Sequence, residues 1–166
     1  LGGFEFGEKA IINGKVLAGF RQFLGGGTPA YRGPALSVSA SVPILRLGRF
    51  TGLAERDVFY SVSEGSVGVD SGFLRNSYVA TSLQGQAVLE LPRRFIGRGF
   101  FGFQKAKYLL PYNFGPVSGQ RVEHFWTAGG ALQRRFGSRI GVGGNVSWRR
   151  RVSNVPGVSY EGFRYG

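Results

Sequence analysis

His124 is the only histidine of the chain, and there is no cysteine and no methionine. Metal sites built on several imidazoles, thiolate metal sites, disulfides and thiol catalysis are therefore excluded. Ser118 and Ser77 are formally available to pair with His124 as a hydrolase would pair them. Nothing around them supplies a nucleophile, a base and a group to orient the base, so His124 reads as an interfacial residue on the face of Trp126. Gly97-Arg98-Gly99-Phe100-Phe101-Gly102 matches G-x-G-x-x-G. Dinucleotide binding needs a helix after that turn, and alternating Phe and Gly gives none, so the segment reads as a glycine-lined wall beside aromatics. Trp148-Arg149-Arg150-Arg151 with Phe163, Arg164 and Tyr165 has the composition of a nucleic-acid patch. On a strand these residues alternate between two faces and form no single surface. Asn145-Val146-Ser147 matches a glycosylation acceptor but lies in mid-strand. The chain is thus read as no enzyme, with no cofactor, no metal and no nucleic-acid partner.

The remaining chemistry is that of a polar wall. The candidates to face a watery interior are Arg21, Arg49, Gln84, Gln86, Arg98, Gln104, Asn145, Arg149 and Arg151. Ser82, Lys105 and Gln133 are added to them, with Glu55, Asp57, Glu90 and Glu123 as partners. Arginines and lysines lower the barrier for anions, and amides and hydroxyls suit sugars. Pairing of Arg with Glu across strands serves the simpler end of stiffening the wall, and that is the expected fate of most of these residues. The net charge of +12 fits a basic interior with arginines at membrane rims as well as it fits a nucleic-acid surface.

Alternation identifies the elements that position this set. Leu36-Ser37-Val38-Ser39-Ala40-Ser41-Val42 is apolar on one side and serine on the other. Ile140, Val142, Val146 and Trp148 oppose Asn145, Ser147, Arg149 and Arg151; Ser82, Gln84, Gln86 and Glu90 oppose Leu83, Gly85, Ala87 and Leu89. Period-two patterning of this length means strands with unlike surroundings on their two sides. The 29 glycines among 166 residues suit curved strands beside bulky aromatics, not helices. Short breaks at Asn13-Gly14, Pro43 to Gly48, Leu91 to Arg94 and Phe136 to Arg139 alternate with longer ones. The longer breaks are Gly25 to Gly33, Ser63 to Gly72, Leu109 to Gln120 and Ser153 to Val158. Asn13-Gly14 reads as a type I′ hairpin turn.

The strands expected are roughly 3–12, 15–24, 34–43, 48–62, 71–91, 94–108, 121–136, 139–152 and 159–166. The fold class is all-β: a transmembrane up-and-down antiparallel β-barrel in one domain over 1–166, with short turns on the periplasmic side and long loops outside. Barrel strands need only ~9–11 residues to cross, so no apolar run of ~18 is required. Phe95, Phe101, Phe103, Tyr108, Phe125, Trp126, Phe136 and Trp148 are expected in aromatic girdles, with Arg150 at a rim. The consecutive charges of Leu53-Ala54-Glu55-Arg56-Asp57-Val58 call for a bulge or a position above the bilayer. An odd strand count and a short last strand imply the C-terminal part of a larger barrel of ten or more strands, trimmed at both ends.

Two stretches carry a resemblance. Phe50 to Val62 is similar to the "R-D-V-x-Y-S" strand of bacterial outer-membrane β-barrel proteins of the putative porin type. Trp148 to Gly162 resembles the penultimate strand, loop and final strand of the same proteins ("R-x-S-N … Y-E-G"). The resemblance implies residence in the bacterial outer membrane, against lipid or lipopolysaccharide, beside other outer-membrane or periplasmic subunits. Porin-like passage of small anionic or sugar-like solutes, or surface-polymer export, is the expected function. The alternatives are a non-conducting structural barrel and a soluble basic β-protein that binds nucleic acid.

Overall fold

The computed structural model describes residues 2–6, 13–23, 31–44, 47–62, 75–114, 117–136 and 140–166. They form nine strands: β1 (Gly2–Phe6), β2 (Asn13–Phe23), β3 (Tyr31–Ile44), β4 (Gly48–Val62), β5 (Arg75–Leu91), β6 (Phe95–Phe114), β7 (Val117–Phe136), β8 (Ile140–Ser153) and β9 (Tyr160–Tyr165). All belong to one antiparallel sheet in the order β1 to β9, so each strand pairs with its chain neighbours. The chain is therefore all-β with up-and-down connectivity. The sheet is open: among the described residues β1 pairs only with β2 and β9 only with β8. Among the described residues no helix is long and apolar enough to cross a membrane, which says nothing of strands.

Three expectations are corrected. Asn13 and Gly14 are not a turn; they lie in the ladder, opposite Ser41 and Ala40 on β3, and Gly14 also faces Phe6. The serine–apolar alternation of β3 extends the pairing and outweighs the local turn preference of Asn-Gly. The 109–120 break is mostly strand, since β6 runs on to Phe114 and β7 starts at Val117. One register shift between Lys107 and Pro111 absorbs the misfit around Pro111, which has no N–H for the ladder. Third, of the two arrangements expected for the charges of 53–58 only the bulge is excluded: β4 keeps one register from Gly48 to Val62, and Arg56 alone of the three turns to the opposite face.

The 91–95 connection is a turn of three residues, Pro92–Arg94, closed by the Phe95 N–H donating to the Pro92 carbonyl. Arg93 and Arg94 both adopt positive φ, 62° and 63°. Left-handed central residues match the twist of a tight hairpin, though both here carry a Cβ.

The register sorts side chains onto two faces. One row runs Val16, Val38, Ala54, Leu83, Phe103, Trp126, and its face is apolar from there to Phe136 and Ile140. Of the sixteen exposed large hydrophobic residues, twelve lie on this face, among them Leu83, Phe101, Leu132, Val142 and Val146. The next row beyond Trp126 is polar in its middle, Arg56, Thr81, Lys105 and His124, and apolar at its flanks, Leu36 and Val152. At the upper edge of the apolar band the rings of Phe103, His124 and Trp126 cluster, with centroids 5.4–6.1 Å apart. At the lower edge Arg134 lies over the rings of Phe95 (5.4 Å) and Phe136 (4.9 Å). Glycines let the rings lie flat: Phe101 leans over Gly85 so closely that a Cβ there has no room.

Candidate functional site

The other face is polar, and all nine side chains singled out from the sequence lie on it. Three adjacent rows carry most of them. The middle row is Ser39, Leu53, Gln84, Gly102, Thr127, Arg149. On one side is Ser41, Thr51, Gln86, Phe100, Gly129, Ser147, and on the other Ser37, Glu55, Ser82, Gln104, Phe125, Arg151. Arg49, Arg98, Asn145 and Gln133 occupy the same face nearer the short turns, and Arg21 lies nearer the long loops. Lys105 is the exception. It pairs with His124 and belongs to the apolar side, because Gln104 takes the polar position. Phe125 and Tyr108 depart from the girdle expectation in the opposite sense, standing on the polar face beside Gln104 and Tyr78.

Toward the long loops this face is held by ion pairs. Asp57, Ala80, Ala106, Glu123 and Ser153 form one row, with Ala80 and Ala106 each 1% exposed. The alanines leave room for longer neighbours over the row, and carboxylates flank them. Arg21 donates to Asp57 at 2.7 Å, reaching from β2 to β4 past buried Gly33 and Ala35 of the intervening strand. Glu123 is fully buried and accepts from Arg151 (2.6 Å), Arg121 (2.7 Å) and the Tyr108 hydroxyl (3.2 Å). Arg151 also lies over the Phe125 ring, and Arg121 over Tyr108.

This cluster stands beyond the apolar band. Burial pushes the Glu123 carboxyl up, but the hydrogen bonds and charges of Arg151 and Arg121 win and hold it below its ordinary value. Burial, then the Glu123 charge, raises the Tyr108 phenol. Asn154 closes the same end, its amide accepting from the Val122 N–H (2.9 Å) and donating to the Gln120 carbonyl (2.8 Å).

Nearer the centre lies a concavity of about 430 Å³, lined by Thr51, Leu53, Gln84, Gln86, Phe100, Gly102, Gln104, Phe125 and Thr127, with Gly85, Phe101 and Phe103 beneath. Phe100 leans toward Gly129, where a Cβ would sit 2.6 Å from its ring. Gly102, between Gln84 and Thr127, keeps the floor open.

Sequence reasoning did not place Arg121, Tyr108 or Phe100 on the polar face. Arg121 and Tyr108 fall in or beside what reads as a loop, although Arg121 and Glu123, two apart, carry the period-two signal. Phe100 is one of two adjacent phenylalanines, and only the register says which of them faces the polar side. Among the described residues no group of acidic or histidine side chains is arranged to hold a metal ion. No family model matches the chain, and no curated protein or solved structure shows significant similarity to it.

Proposed function

We propose that the sheet is part of the wall of a membrane-spanning β-barrel of the outer-membrane type, its apolar face in lipid and its polar face on a water-filled interior that passes small polar solutes. One observation carries this reading: a continuous exposed apolar face, bounded at both ends by aromatic rings and cations, backs a face of amides, hydroxyls and arginines. Water-soluble proteins do not leave an apolar surface of that extent uncovered. Along β7 the band runs from Trp126 to Phe136. That is about 34 Å of strand at ~3.4 Å per residue. At the ~35–45° tilt of barrel strands it projects to about 24–28 Å, close to the ~25 Å apolar height of outer-membrane barrels. Arg134 on Phe95 and Phe136, and the Phe103–His124–Trp126 cluster, have the chemistry of the two interfaces.

Closure requires partners for the free edges of β1 and β9. Solutes that suit the polar face are small anions and sugars, and the resemblance of 50–62 and 148–162 extends the reading to surface-polymer export. The ion pairs Arg21–Asp57 and Arg151–Glu123 favour a second reading, a wall that is mainly structural and does not conduct. Binding of nucleic acid is disfavoured because Arg149 and Arg151 stand on one face and Arg150 on the other. The deciding experiment is reconstitution into planar bilayers. Discrete conductance steps with anion preference support the porin-like reading. Stable insertion without conductance supports the structural barrel. Partition into the aqueous phase without detergent overturns both.

A further inference from the structure

We propose that the concavity on the polar face binds a neutral oligosaccharide, with Phe100 as the stacking platform and the amides of Gln84, Gln86 and Gln104 as its hydrogen-bonding partners. The inference rests on the reading that this face meets water, and it narrows the solute class. The lining decides the narrowing. In a chain of net charge +12, the 430 Å³ concavity contains no charged side chain. A site for anions would be built around guanidiniums, yet Arg149 and Arg151 stand to one side of it, on β8. Arg151 is moreover already engaged by Glu123 and stacked on Phe125.

What the concavity does offer is the set of groups that sugars need. Gln84, Gln86, Gln104 and Thr127 take no hydrogen-bond partner among the described residues, so their amides and hydroxyl are free to exchange water for sugar hydroxyls. An amide supplies two donors and an acceptor at once, which matches vicinal hydroxyls. Phe100 is 42% exposed on a face that is otherwise mostly polar. A ring left bare among amides provides the flat apolar surface on which the C–H face of a pyranose can be desolvated. Phe100 and Phe125 lie in the outer two of the three rows, four residues of rise apart, or about 13–14 Å. That length exceeds a single monosaccharide and calls for a chain.

The test is equilibrium binding to the full chain in detergent micelles, by calorimetry, with neutral hexasaccharides (malto-, cello- and xylohexaose) and with hexagalacturonate as the anionic counterpart. At least one neutral probe is expected to bind more tightly than the anionic one. Phe100→Ala should weaken that binding tenfold or more and Phe100→Tyr should retain it. Leu132→Ala, an exposed side chain of the opposite face outside the concavity, should leave it unchanged. The proposal is overturned if no neutral probe binds, if hexagalacturonate binds best and depends on Arg149, or if Phe100→Ala and Leu132→Ala behave alike. Micellar binding needs no conductance, so a protein that binds the neutral probe but fails to insert in vesicles would overturn the barrel reading alone.

Discussion

Replacing Glu123 by Gln leaves the guanidiniums of Arg121 and Arg151 around a neutral amide in a place where the carboxylate has no access to water. The expected loss of stability is about 1–3 kcal/mol, less than the ~3–5 of a fully enclosed pair, because the two arginines keep 25% and 22% of their side-chain surface exposed. Thermal unfolding followed by circular dichroism measures it, and an unchanged midpoint would sink the argument. The carboxyl is held below its ordinary value of 4.5. Its contribution is therefore fully present above pH 4.5 and is lost as pH falls through the lowered value. The acid limb of the wild-type stability curve should flatten in Glu123→Gln. The two neighbouring arginines of β8 should separate: Arg151→Glu sets a second carboxylate beside Glu123 and should lower stability by a comparable amount. Arg149→Glu, exposed in the middle row, should leave the unfolding midpoint within a degree or two, yet move the reversal potential toward cations if the interior conducts.

At the scale of the element, β8 shows most plainly what alternation encodes. Val142, Val146 and Trp148 share the apolar face while Asn145, Ser147, Arg149 and Arg151 share the other. Val146→Arg is expected to impair insertion into vesicles, since a charge near the midplane of a bilayer costs roughly 2–4 kcal/mol. Normal insertion of that variant would mean the faces are reversed. The three-residue turn after β5 gives a second prediction. Arg93 sits at φ 62°, where a side chain costs roughly 1–2 kcal/mol. Arg93→Gly should match or exceed the wild type in urea unfolding, and Arg93→Val, branched at Cβ, should fall about 1–2 kcal/mol below it. These elements also show how far the sequence could be read. Period two placed Gln84, Gln86, Asn145 and Arg149 on one face because each strand alternates without interruption. It failed at Lys105, where Gln104 and Lys105 are both polar and neither announces its side. It failed again at Asn13-Gly14 and at 109–120, where local turn and proline signals are strong and the pairing that overrides them comes from another strand. The ion-pair cluster was half legible: Glu123 and Arg151 are recognisable as charges of one face. That Arg121 and Tyr108 complete it depends on how far β6 and β7 extend.

For the molecule as a whole, the decisive property is the contrast between its two faces. It predicts that the protein sediments with vesicles after carbonate or urea washing and gives a β-type far-UV spectrum, with substantial helix as the outcome that would refute the fold. The connectivity has a further consequence, in the kinetics of assembly. Every described strand pairs with the strand next to it in the chain, so no ladder requires distant segments to meet before it can form. Loop closure is the main entropic barrier to β-pairing, and here each closure spans one hairpin. The sheet can therefore grow by adding one hairpin at a time from whichever forms first. The paired stretch between β6 and β7, the longest of the eight and joined by the shortest connection, is the natural seed. Its growing edges stay competent to accept the next strand at every stage.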